Sequence, residues 1–203
     1  MAQSLSKPPS ASNRLLGLVG ILGGLILVAA FVPAIPWTAD AFNLRLILFN
    51  VGAIAIVIAV RRRQALVAPA LALLAALPAL FANAWYLTMI VLATARPGPF
   101  PGDLGLVFFW AGAAMWLADA WFGLITLRLG IVSRWGGLAL AAGSALALTG
   151  MDRLDLVTGP FAQFFQPVAL AGIALNGIGW ILLGIEVATR QVVARSDASP
   201  ATT

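Results

Sequence analysis

The sequence predicts an all-α, polytopic integral membrane protein: six transmembrane helices in a compact up-and-down bundle, with both termini cytoplasmic. Three observations carry that expectation. Hydrophobic residues fill 62% of the 203 positions and charged residues only 9%, where an ordinary soluble domain carries about a quarter charged. The apolar residues gather in long blocks with short polar connectors between them, for a mean hydropathy of +1.00. The basic residues collect on alternate connectors, the pattern that orients membrane helices.

A hydrocarbon core of about 30 Å takes roughly 17 to 25 helical residues to cross. Runs of that kind lie at about 15-32, 42-60, 65-94, 104-127, 135-151 and 167-189, which together make a membrane domain over 15-190. The first run is longer than the apolar region of a secretory signal, so it reads as a span. The third is long and carries Pro69 and Pro78, which predicts a tilt or kink. The fifth is marginal in length. The tails, residues 1-14 and 191-203, are small, polar and proline-containing, a composition expected to be disordered.

Threading follows from the cations. With the N-terminus inside, the cytoplasmic side collects Lys7, Arg14, Arg61, Arg62, Arg63, Arg128, Arg134, Arg190 and Arg195, against Arg45, Arg96 and Arg153 outside. The triplet Arg61, Arg62 and Arg63 is thus topogenic. The pI near 11.4 reflects this topology, and no nucleic-acid partner is expected. Arginine over lysine and the lack of cysteine suggest a bacterial inner membrane protein, whose first partner is the lipid bilayer.

Without hydrophobic drive between helices in lipid, small residues and a few polar contacts must join them. The first run offers Gly17, Gly20 and Gly24; the fifth Gly137, Ala141 and Ser144; the last Gly172, Asn176 and Gly179. Each set shares one helical stripe.

One residue breaks the apolar pattern. Asp119, in MWLADAWFG, sits fifteen residues into the fourth run. A charge there costs about 2.5 to 3.5 kcal/mol on insertion scales, so the carboxyl should face protein or water and be neutral or paired. Gly112, Met115, Trp116, Phe122, Gly123 and Thr126 share its side of the helix. Asn83 and Asn176 are the expected partners at similar depth, with Asn50 nearer the outside. An amide can donate to a carboxylate or accept from a carboxyl. Lower on the last helix, Glu186 and Arg190 are spaced as an i to i+4 ion pair, and Arg128 is expected to end at a similar height and join it.

Enzyme chemistry is poorly supplied. There is no histidine and no cysteine, and Lys7 is the only lysine. This removes the general base of a serine triad, thiol chemistry, a membrane Schiff base and the usual zinc ligands. Two carboxyls sharing a membrane site are also missing. No cofactor and no metal site are expected. The leading expectation is a non-enzymatic, transporter-like or ligand-binding bundle with an internal polar site at Asp119, Asn83 and Asn176. The alternatives are an accessory or scaffolding subunit bound to another membrane protein, with purely structural polar contacts, and last a lipid-modifying enzyme.

Overall fold

A computed structural model describes residues 10-30, 39-96, 102-150 and 162-190. Six helices account for nearly all of them: α1 (Ala11–Ala30), α2 (Ala39–Gln64), α3 (Pro69–Ala95), α4 (Gly102–Leu129), α5 (Arg134–Leu148) and α6 (Ala162–Thr189). There is no strand among the described residues. Five of the six are long and apolar enough to cross a membrane. The exception is α5, whose 15 residues give about 22 Å at 1.5 Å per residue, short of a full hydrocarbon thickness. The all-helical membrane bundle is what the composition predicted.

Helix ends depart from the expected boundaries for local reasons. α1 begins at Ala11, so residues 11-14 of the expected N-terminal tail are helical. Ser10 caps them, its Oγ accepting from the Asn13 N–H at 3.3 Å. Arg61, Arg62 and Arg63 do not form a loop; they are the last turn of α2, where cations complement the negative end of a helix. Pro69 starts α3, at a position where a missing N–H costs nothing. Only Pro78 lies inside that helix. Asp103 belongs to the first turn of α4. Pro167 lies within α6, which starts at Ala162, earlier than its apolar run.

The helices close into a ring. Each packs on its neighbour in sequence, and α6 returns to pack on α1; α2 also touches α6 across the interior. Paired glycines set the spacing on four of the six seams. Gly17 meets Gly184, Gly24 meets Gly177, Gly23 meets Gly52, Gly123 meets Gly137 and Gly143 meets Gly172, in each case backbone against backbone. Along each seam the contact numbers rise on one helix as they fall on the other, so neighbours are antiparallel. An even number of alternating helices lets α6 meet α1 in that same sense.

The seams of α3 use alanine instead. Ala72, Ala75, Ala76, Ala79 and Ala82 are buried on its inner side, while Leu71, Leu74, Leu77 and Phe81 point outward. Large apolar side chains also cover the outside of α1 and α4. In water such a surface would be unfavourable; against lipid tails it is the expected one.

If the glycine seams set the ring, a single methyl group on one should be felt. A Cβ at position 143 would lie 2.7 Å from the Gly172 carbonyl oxygen, whereas at position 105 it meets nothing within 4 Å. Gly143→Ala is therefore expected to cost about 1 to 3 kcal/mol through overpacking, and Gly105→Ala to be neutral or mildly stabilising through helix propensity. Thermal unfolding of the two variants in detergent checks the difference.

Candidate functional site

The ring turns four amides or acids and one hydroxyl toward its interior: Asn50 on α2, Asn83 on α3, Asp119 on α4, Ser144 on α5 and Asn176 on α6, all with no exposed surface. They share a level. Asn50 and Asn83 lie 14 residues from the Gln64 and Pro69 ends of their helices, Asn176 13 from Thr189, and Asp119 and Ser144 10 from Leu129 and Arg134. At 1.5 Å per residue, the layer sits about 15 to 21 Å from one face of the bundle.

Asn83 donates both amide hydrogens, one to Asp119 Oδ1 at 2.8 Å and one to the Ala79 carbonyl of its own helix at 2.9 Å. The second bond fixes the rotamer that makes the first. Asn176 donates to Ser144 Oγ at 2.7 Å, and the Ser144 hydroxyl passes on to the Leu140 carbonyl at 2.7 Å. The Asn176 amide is also near enough to influence the Asp119 carboxyl, but by distance and angle its bond goes to Ser144. Asn50 donates to the Leu46 carbonyl at 2.7 Å. The structure thus brings together Asp119, Asn83 and Asn176, with Ser144 as a member that the sequence offered only as a packing residue.

What remains unpartnered is one-sided. Asn50 Oδ1, Asn83 Oδ1, Asp119 Oδ2 and Asn176 Oδ1 are buried acceptors without a donor, and Trp180 Nε1 is a buried donor without an acceptor. Four oxygens on four helices face one N–H. Among the described residues Asp119 forms no ion pair. Below the layer, Phe122 and Trp180 stack with centroids 6.1 Å apart and planes at 19°; on its other side Met115 and Phe49 are equally buried. The layer therefore has an apolar floor. Buried acceptors without donors carry a desolvation cost of about 1 to 3 kcal/mol each, which a proton or an oxygen-seeking cation would relieve. No three His, Cys, Asp or Glu residues converge among the described ones.

The proline of α3 is compensated from α4. Pro78 has no N–H to give to the Leu74 carbonyl, and that carbonyl accepts instead from Trp121 Nε1 at 3.2 Å. The indole so pins α3 to α4, reaching from two residues beyond Asp119 to a carbonyl nine residues before Asn83. Trp121 is otherwise outward-facing, so its ring is both a lipid contact and a backbone clamp.

Towards the end of the bundle where α2 finishes, Glu186 Oε1 and Arg190 NH1 pair at 3.2 Å. Arg128, expected to join them, forms no ion pair among the described residues; it lies on α4, whose neighbours in the ring are α3 and α5. Of the topogenic triplet, Arg61 and Arg62 are exposed while Arg63 turns inward. Its guanidinium donates to the carbonyls of Glu186 at 3.1 Å, Val187 at 2.7 Å and Arg190, capping the end of α6. Gln64 Nε2 donates to Thr126 Oγ1 at 3.0 Å. The sequence held a signal for Arg63, which continues the inner stripe of Phe49, Ala53, Ile56 and Val60.

Comparison with protein-family models, with curated proteins and with solved structures finds no match to this chain.

The Trp121 clamp has a separable consequence. Trp121→Phe is expected to lower bundle stability by about 1 kcal/mol, the usual worth of such a bond. In a Pro78→Ala background the residue-78 N–H reclaims the Leu74 carbonyl, and the same substitution should then cost much less. A double-mutant cycle of unfolding free energies measures the difference.

Proposed function

We propose that this chain is a small transporter-like, ligand-binding membrane bundle whose internal site, built on Asp119, Asn83 and Asn176, takes up a proton or a small cation. The observation that carries this reading is the excess of buried, donorless oxygens on four helices at one depth, with one carboxyl among them. Ionisable groups at such depth commonly mark ion or proton pathways. In this reading Asp119 is the charged ligand, Asn83 orients it, and Asn176 and Asn50 supply neutral oxygens. The protein would sit in a bacterial inner membrane with both termini cytoplasmic, as the distribution of arginines favours.

A second reading is favoured by one feature. The Asn176–Ser144 bond joins α6 to α5 and ends on the Leu140 carbonyl, as interhelical contacts do in an accessory subunit that holds other membrane proteins.

Two experiments separate and anchor these readings. In proteoliposomes, Asp119→Asn keeps the shape and removes the titratable carboxyl, so proton or sodium uptake driven by a pH or ion gradient is expected to fall at least tenfold. Uptake at the parent rate in that variant contradicts the proposed site, and the stoichiometric recovery of a partner protein in mild detergent supports the accessory reading. The parent chain has no cysteine, so orientation is open to single-cysteine labelling. An impermeant maleimide should reach Asp103→Cys in intact cells and Val67→Cys only after the membrane is opened; the reverse order inverts the threading.

A further inference from the structure

A second site lies at the opposite kind of position, at the rim rather than the centre. It is assembled by the four-residue connector between α4 and α5. Gly130 ends α4 in the left-handed region at φ 61°, and its N–H still reaches the Thr126 carbonyl at 3.1 Å. Ser133 then starts α5 by accepting from the Gly136 N–H at 3.1 Å. Between this turn and the end of α6 opens a cleft of about 320 Å³, with Arg134, Trp135, Glu186 and Arg190 on its walls. Its lining is mainly polar, unlike the apolar grooves on the outside of α3 and α4.

The charge of the cleft is positive on balance. Arg134 lies across Gly130, its Nε 2.8 Å from where a Cβ would stand, a path that any side chain at 130 would obstruct. Arg190 sits opposite, largely exposed and paired with Glu186 at 3.2 Å, a surface contact worth little. The first-turn N–H groups of α5 add partial positive charge. The negative pole of α6, which would repel an anion here, is cancelled by the three donations of Arg63 to the Glu186, Val187 and Arg190 carbonyls. Arg63 thus commits three of its five N–H donors to α6 and shapes the field. Trp135, 75% exposed, and Leu138 beside it place the opening where an indole prefers to lie, between headgroups and tails.

We propose that this cleft binds the phosphate of an anionic phospholipid headgroup, with Arg134 and Arg190 as the phosphate ligands and Trp135 against the glycerol and upper chain. Planar guanidinium groups match phosphate oxygens in paired fashion. A lipid is favoured over a free anion because the opening faces an exposed apolar edge, on which a free phosphate would leave Trp135 and Leu138 uncovered. The site stands independently of the Asp119 layer.

The test uses the full-length protein in detergent, titrated with phosphatidylglycerol, phosphatidylcholine or inorganic phosphate, with binding read as the shift in thermal unfolding. Phosphatidylglycerol is expected to raise the unfolding temperature at concentrations at least tenfold below those at which phosphatidylcholine does. The Arg134→Gln/Arg190→Gln double variant should lose that preference, and the Arg61→Gln/Arg62→Gln variant, with the same change of charge on exposed residues, should keep it. Far-ultraviolet circular dichroism of each variant without lipid verifies the fold. Equal response to both lipids, retention by the Arg134/Arg190 variant, or equal loss in the Arg61/Arg62 control overturns the proposal. Inorganic phosphate reproducing the whole effect would likewise overturn the lipid assignment in favour of a free-anion site.

Discussion

Hydrocarbon can neither donate nor accept a hydrogen bond, and that constraint organises this bundle more than any single contact. A helix satisfies its own backbone, so six helices pose no difficulty until one carries a carboxyl at mid-depth. Asp119 is tolerable only if other helices surround it, and they can surround it only if they approach closely. The reciprocal glycine seams supply that approach between α1 and α2, α1 and α6, α4 and α5, and α5 and α6; alanines supply it around α3. The closed ring and the buried acid are therefore two sides of one requirement.

The same requirement accounts for the other buried polar groups near the ring. Where Pro78 frees a carbonyl, the Trp121 indole takes it. Where α6 ends with open carbonyls, Arg63 reaches from α2 to fill them. Gln64 donates to Thr126 beneath the core. Against that background the central layer gathers four of the five buried side-chain oxygens without a donor among the described residues. Departures from polar satisfaction concentrate at working sites, which is why the layer, and not the better-completed contacts around it, bears the functional proposal.

Much of this was legible in the sequence, for reasons that differ by residue. The helices followed from apolar run length, because the bilayer leaves few alternatives to helix. Asp119 stood out because nothing near it in the sequence was ionisable, and the Asn83 partner followed from depth along its helix, whereas Asn176 bonds Ser144. Three features were missed. Helix ends depend on caps such as Ser10 and on whether Pro69 begins a helix or interrupts it, which run length ignores. Arg63 looked like one more topogenic cation, although its spacing from Phe49, Ala53, Ile56 and Val60 continues the inner stripe. Ring closure of α6 on α1 pairs elements more than a hundred residues apart, and the small residues at each end do not say which partner they meet. Arg128 was expected beside Glu186 on height alone, but the neighbours of α4 in the ring are α3 and α5, not α6.

The claim on which the rest stands is that the ring encloses its polar layer away from lipid. Trp180 lies four residues from Asn176 and is fully buried against Phe122, whereas Trp121, two residues from Asp119 on α4, is 41% exposed on the outside. Quenching of single-tryptophan variants by brominated lipids in bilayers reads that difference directly. The closed ring requires strong quenching of Trp121 and little of Trp180. Equal quenching of the two would mean that the inner face meets the acyl chains, and the enclosed layer around Asp119 would not exist.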